Sequence, residues 1–134
     1  MSQGFVDRLQ VARRFSRAAT NYDQADFLVR EVDRRMQERL DYINLQPARI
    51  VDLGCSRGGS FAGLAARYPQ AQLVGVDISP AMLRAGPQPR AGWQRWLGIG
   101  RANEAQRLAG DAVKLPLKSR STAIVWSNLL LHWL

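Results

Sequence analysis

The chain predicts an α/β fold built on a mostly parallel sheet, and three observations carry that prediction. A short β-branched run, Ile50-Val51-Asp52-Leu53, breaks into the glycine-rich turn Gly54-Cys55-Ser56-Arg57-Gly58-Gly59. A helix-compatible stretch over residues 60–67 follows. Nucleotide-binding α/β units begin this way, because glycine lets backbone amides approach a ligand and leaves room at a helix N-terminus. A second run, Gln72-Leu73-Val74-Gly75-Val76-Asp77, ends on a carboxylate. Its spacing from the turn is about that of an acid that grips a ribose diol.

The remaining elements follow in chain order. Phe5, Leu9, Ala12, Phe15 and Ala19 recur at helical spacing, as do Val29, Val32, Met36, Leu40 and Ile43. These predict two amphipathic helices, over residues 5–19 and 23–44, with Asn21 or Asp23 as the N-cap of the second. Leu45-Gln46-Pro47 links them to a first strand over residues 49–53. Pro80 fits the first turn of a helix capped by Ser79 and running through Met82 and Leu83, which Gly86-Pro87-Gln88-Pro89 ends. Residues 90–104 hold Trp93 and Trp96 among glycines and arginines. They form a short helix or an insertion loop, and the tryptophans either cover a core edge or make a binding platform. A third strand falls near residues 106–109, followed by Gly110-Asp111. After the turn-rich Leu115-Pro116-Leu117, a fourth strand spans residues 121–126. The order helix, helix, β-α-β-α-β-β predicts helices on both faces of the sheet. The last segment, Ser127-Asn128-Leu129-Leu130-Leu131-His132-Trp133-Leu134, reads as the opening turns of a helix. An apolar helix start and an open fourth strand need cover. The expectation is a longer domain truncated after the fourth strand, or a partner chain over this end.

Composition bounds the function. With 134 residues the chain suffices for one domain and a modest core. No apolar run approaches the ~20 residues of a membrane helix. The first 20 residues carry scattered arginines and no apolar block, so they do not read as a secretory signal. One cysteine, Cys55, excludes an internal disulfide framework and suits a reducing, cytoplasmic setting. The formal net charge of +8 suggests an anionic partner: nucleic acid, an acidic protein or an anionic substrate. No aromatic-interleaved basic stripe or nucleic-acid motif favours the first, and in the N-terminal third acids interleave with the arginines.

With these segments placed, the chain resembles the class I S-adenosylmethionine-dependent methyltransferases. Val51-Asp52-Leu53-Gly54-Cys55-Ser56-Arg57-Gly58 resembles the first, glycine-rich motif of that family. Val74-Gly75-Val76-Asp77-Ile78-Ser79-Pro80-Ala81-Met82-Leu83 resembles its ribose-binding motif. Ala109-Gly110-Asp111-Ala112 through Leu115-Pro116-Leu117 resembles the third, whose acid faces the adenine, and Ser127-Asn128-Leu129 through His132-Trp133 the segment after the fourth strand. Arg17-Ala18-Ala19-Thr20-Asn21-Tyr22-Asp23 and Trp126-Ser127-Asn128-Leu129 are similar to the malonyl-acyl carrier protein O-methyltransferases of biotin synthesis. A related complex I assembly factor shares the Leu-His-Trp ending. The resemblance covers nearly all of the chain except residues 86–104, and about the first half of such an enzyme. It implies a Rossmann-like methyltransferase sheet, a helical cap or lid over residues 1–46, and the first half of the cofactor-binding domain over residues 47–134.

The residue chemistry agrees. A hydride-transferring dinucleotide enzyme needs a turn spaced G-x-G-x-x-G, whereas this chain has Gly54-x-Ser56-x-Gly58 headed by Asp52. A carboxylate there would repel a pyrophosphate but could orient the ammonium of an amino-acid tail. Asp77 would accept from the ribose hydroxyls, or else serve as an N-terminal charge for the helix after Ser79. The backbone at Ile78 and Met82 would pack against the adenine, and Asp111 would accept from its amino group. With Gly54, Cys55, Ser56, Gly58, Ala112, Asn128 and Tyr22, these make the implied cofactor-binding set for S-adenosylmethionine. Tyr22 is either a closing residue over the cofactor, as the resemblance implies, or a half-buried packer in a helix-helix turn. His132 is a general base or an apolar packing residue. Cys55 lacks a base within its motif to act as a nucleophile. Two departures stand out: Ser56 replaces the middle glycine of the motif, and Thr122-Ala123 replaces a Phe-Asp pair in the fourth strand. No metal site or catalytic base is expected. The implied activity is methylation of the free carboxylate of a malonyl thioester on acyl carrier protein. A non-catalytic cofactor-binding subunit completed by a partner chain, and a basic adaptor for polyanions, are the alternatives.

Overall fold

The computed structural model describes residues 7–18, 26–87 and 105–130. Among the described residues, four strands form one sheet: β1 (Arg49–Leu53), β2 (Gln72–Asp77), β3 (Gln106–Ala109) and β4 (Ile124–Ser127). They lie in the order β3-β2-β1-β4 and every pair is parallel. The chain therefore steps outward from β1 to β3 and returns to the other side of β1. This leaves a switch point between the C-terminal ends of β1 and β4, where ligands bind in open α/β sheets. Registers place Val51 beside Val74 and Val125, and Asp52 beside Gly75 and Trp126.

The two faces of the sheet are covered differently. One carries the main core, where Ile50, Leu73 and Trp126 meet Phe61, Leu64 and Tyr68 of the first crossover and Leu83 of the second. The crossover helices are α3 (Phe61–Arg67) and α4 (Pro80–Ala85). Both connect strands in the same outward direction, so right-handed crossovers put them on the same face. The opposite face, built on Val51, Val74 and Val76, is met by Leu53, Leu108 and Leu117. Val125 on that side stays 58% exposed. Helices on both faces were expected; among the described residues only one face has crossover helices.

Two further helices precede the sheet. Helix α1 (Arg8–Ala18) starts after Asp7, whose Oδ1 accepts from the amides of Leu9 at 2.9 Å and Gln10 at 3.3 Å. This is the capping chemistry of an exposed N-terminus. Helix α2 (Phe27–Arg39) is shorter than the continuous helix expected over residues 23–44. It tightens into a 3-10 turn at Leu40–Tyr42, which buries Leu40 and leaves Tyr42 exposed. Asn21 and Asp23, expected as caps, lie outside the described residues, as do Trp93, Trp96, Tyr22 and His132. The fourth strand begins at Ile124 rather than residue 121. Just before it, the carbonyl of Arg49 accepts from the amide of Ala123 at 3.2 Å, and Thr122 Oγ1 lies 2.9 Å from the same carbonyl. Ser79 caps α4 as predicted, its Oγ accepting from the amide of Met82.

Candidate functional site

The glycine-rich turn is shaped by backbone torsions that ordinary residues avoid. Gly54 has φ 70° and its amide donates to the carbonyl of Val76 at 2.7 Å. A Cβ there would approach Leu130 to 2.9 Å, so glycine serves both the torsion and the space. Gly58 has φ 83° and its amide donates to the carbonyl of Cys55. Ser56 also takes a left-handed torsion, φ 50°, at the position where the motif departs from glycine. That conformation costs an L-residue about 1 kcal/mol or more.

What holds Ser56 there is Asp77. The Ser56 amide donates to Asp77 Oδ2 at 2.9 Å, and the Ser79 amide donates to Asp77 Oδ1 at 2.8 Å. One carboxylate at the end of β2 thus joins the turn after β1 to the entry of α4. Asp77 is 7% exposed, and burial raises its pKa while the two amides pull it down. Each of its oxygens keeps acceptor capacity after one amide bond.

On one side of this bridge a cleft of about 590 Å³ opens between α2 and the turn. Asp52, Gly54, Cys55, Ser56, Gly58 and Asn128 all line it, as do Asp33 and Gln37 of α2 and Asp26 just before it. Asp52 is 4% exposed, and no described residue donates a hydrogen bond to its carboxylate. Burial first, then the charges of Asp33 and Asp77, push its pKa well above the usual carboxylate range. Asn128 Nδ2 donates to the carbonyl of Val29 at 2.8 Å, which fixes the amide and leaves Oδ1 buried with no partner. Two acceptors at one cleft thus lack donors, an arrangement that suits a cationic, donor-rich group such as an ammonium. Cys55 is buried and its thiol is pushed far up by burial and by Asp52 and Asp77, which makes it a poor nucleophile.

The other side of the bridge lies under α1. Ile78 is half-buried beside Asp77, and Met82 is fully buried with its amide taken by the Ser79 cap. Asp111 and Ala112 follow β3 and are partly exposed. Asp111 Oδ1 takes the guanidinium of Arg8 at 2.8 Å and the amide of Val113 at 3.0 Å. Ser16 of α1 hydrogen-bonds Ser79 at 2.8 Å. The residues singled out in the sequence therefore form two groups, an open cleft near Asp52 and a covered patch near Asp111, joined through Asp77. Tyr22 lies outside the described residues.

Sequence reasoning missed the α2 wall of the cleft. Asp33 Oδ1 accepts from Ser60 Oγ and, at 3.3 Å, from Trp126 Nε1, which also reaches Ser60 Oγ at 3.1 Å. Gln37 Nε2 donates to the carbonyl of Ser60 at 3.4 Å. Val29, Asp33 and Gln37 stand four residues apart, a half-polar row beside the apolar one, and that spacing was the available signal. Among the described residues no cluster of potential ligands could hold a metal, and no helix is long and apolar enough to cross a membrane.

A parallel sheet of this order, with a glycine turn and an acid ending the second strand, defines the class of α/β cofactor-binding domains. The sequence profile of the methyltransferase domain family matches residues 50–134, and the chain belongs to that family. It is 41% identical over 128 residues to a malonyl-[acyl-carrier protein] O-methyltransferase of Methylovorus sp., covering 96% of this chain and 42% of the relative. It is 40% identical over 133 residues to the protein of that name from Gallionella capsiferriformans, covering 99% of this chain and 45% of the relative. The chain thus spans less than half the length of these relatives. Among solved structures, a chain in the complex of the Haloferax volcanii Trm112 methyltransferase activator with a methyltransferase superposes with TM-score 0.60. The identity is 22%, over 84% of this chain and 46% of that one. The O-methyltransferase of a trans-AT PKS multienzyme from Brevibacillus brevis, in complex with S-adenosyl-L-homocysteine, gives TM-score 0.51 at 18% identity. That match covers 94% of this chain and 39% of that one. Both structures share the fold.

Proposed function

We propose that this chain is the cofactor-binding part of an S-adenosylmethionine-dependent methyltransferase that methylates the free carboxylate of a malonyl thioester on acyl carrier protein, in biotin synthesis. The observation that carries the cofactor reading is the pair of donorless acceptors in the cleft, Asp52 and Asn128 Oδ1. They suit the ammonium of the cofactor's methionine part. Asp77 would accept from the ribose hydroxyls with the capacity its two amide bonds leave, and Asp111 with Ala112 would receive the adenine beside Ile78. Residues 1–46 would serve as a helical cap over cofactor and substrate, with Tyr22 helping to close it. The acceptor reading rests on the names of the relatives, at 41% and 40% identity.

S-adenosylmethionine supplies an electrophilic methyl group when bound. A malonyl carboxylate is already ionised at neutral pH, so no residue of this chain has to act as a base. The work left to the protein is alignment and exclusion of water. The carrier protein reading also has an electrostatic support. In α2, Arg30 pairs with Asp26 just before the helix, Arg34 and Arg35 pair with acids of the helix, and Glu31 is held down to about 2 by Arg34 and Arg35. Helix α1 turns Arg13, Arg14 and Arg17 outward with no acid in its first turn. That unneutralised, solvent-facing side of the helix suits an acidic carrier protein.

A calorimetric titration with S-adenosylhomocysteine tests the reading, with NAD as control and Asp77→Ala beside the parent chain. The expected result is micromolar binding, absent for NAD and weakened at least ~10-fold in the variant. Silence from a well-folded sample would remove the cofactor reading.

A further inference from the structure

Helix α1 reaches the patch at the end of β3 with one charged side chain. The Arg8 guanidinium sits 2.8 Å from Asp111 Oδ1, a contact across 103 positions of sequence. The pair is partly sheltered, with side-chain exposures of 27% and 30%. Asp111 Oδ1 also takes the amide of Val113 at 3.0 Å. One oxygen of the carboxylate is thus held by two donors, and no described residue donates to Oδ2. The helix that brings Arg8 is docked at other points. Val11 is buried, and Ser16 Oγ lies 2.8 Å from Ser79 Oγ, next to the amide that binds Asp77.

We infer that Arg8 is a positioning residue for the base of the cofactor: it pins Asp111 so that Oδ2 presents an acceptor to an exocyclic amino group, and so sets the preference for adenine over a base with a carbonyl there. The inference rests on the methyltransferase reading above and deepens it. An ionised carboxylate only accepts hydrogen bonds, so it welcomes an amino group and opposes a carbonyl oxygen. That discrimination is sharp only when the carboxylate cannot swing into solvent. The Val113 amide alone leaves it free to rotate about that single bond. A cationic second donor on the same oxygen fixes its plane, in the way outer partners orient the groups that touch a ligand.

The test is calorimetry of the full chain with S-adenosylhomocysteine and with S-inosylhomocysteine, whose base carries a carbonyl in place of the amino group. The parent chain is expected to prefer the adenine ligand by roughly 10-fold or more, and Arg8→Ala to bring the two within about 3-fold. Arg8→Lys, which keeps the charge, restores part of the preference and serves in its place if Arg8→Ala does not fold. Ser16→Ala removes the other polar tether of α1 and leaves the ratio at the parent value. If Arg8→Ala weakens both ligands equally, Arg8 only holds its helix, and the inference falls. Tighter adenine binding in Arg8→Ala also overturns it, because the ion pair would then compete with the base. Equal binding of both ligands by the parent chain sinks this inference alone, whereas binding of neither sinks the methyltransferase reading beneath it.

Discussion

On the proposed reading, Asp52 would serve the cofactor at a cost to the fold. Its carboxylate is buried with no donor among the described residues, and its pKa is raised by burial, then by Asp33 and Asp77. A carboxylate whose folded pKa lies above its unfolded value, near 4, binds more protons in the folded chain than in the unfolded one between those two values. Stability therefore falls as pH rises through that window. Asp52→Asn should remove most of its share of the slope and stabilise the chain at neutral pH by about 1–2 kcal/mol. Asp77, shifted in the same direction, retains its own share. The same variant should bind S-adenosylhomocysteine at least ~10-fold more weakly. Urea melts at several pH values, paired with a titration, check both; equal slopes in the two proteins would contradict the account. Ser56 was legible in advance, because a serine at a glycine position of a tight turn announces its own torsion. The donorless state of Asp52 was not, because sequence shows which groups a strand carries and not which of them lack partners.

At the scale of elements, the cleft depends on how α2 meets the turn before α3. Asp33 collects Ser60 Oγ and Trp126 Nε1, while Val29 receives Asn128. Asp33→Ala should cost about 1–3 kcal/mol by leaving donors short of an acceptor, and Asp33→Asn, which keeps one, should cost less. Chemical denaturation of the two variants side by side decides this. Equal losses would mean the helix is held by other contacts. The strands were legible because short β-branched runs between glycine and proline breaks have few other uses. Their starts were less so, since the fourth strand begins only at Ile124, although Thr122 and Ala123 already bond the carbonyl of Arg49. Helix α2 reads as a solvated charged surface because its arginines do pair along it, and Asp33 is hidden among them. Its 3-10 end follows from burying Leu40, a tertiary demand that periodicity does not carry.

The whole molecule has an uneven charge, and the unevenness has a measurable sign. Reversing Arg13, Arg14 and Arg17 to glutamate should weaken association with an acidic carrier protein by roughly 10-fold or more at low salt. The difference should shrink toward physiological ionic strength as screening sets in. Exchanging Glu31 with Arg35, which preserves the balance of α2, should change little. Fluorescence anisotropy of a labelled carrier protein across a salt series checks both, and equal losses from the two changes would place the docking surface elsewhere. The strands' order along the chain and their parallel pairing were legible in the sequence, but their order across the sheet was not. The seat of α1 was not, since it depends on Arg8 meeting Asp111 from the far end of the chain.

In the proposed site the Asp77 carboxylate would also make the two ends of the ligand answer to each other. It fastens Ser56, which faces the Asp52 cleft, and Ser79, which meets Ser16 of α1. A fragment that fills either side should stiffen the joint that the other side needs. Adenosine and methionine, added as separate molecules, should then bind more tightly together than apart. Linkage requires the gain to be the same whichever is added first. Titrating each in the presence and absence of the other measures that gain, and independent binding would mean the carboxylate only braces the turn.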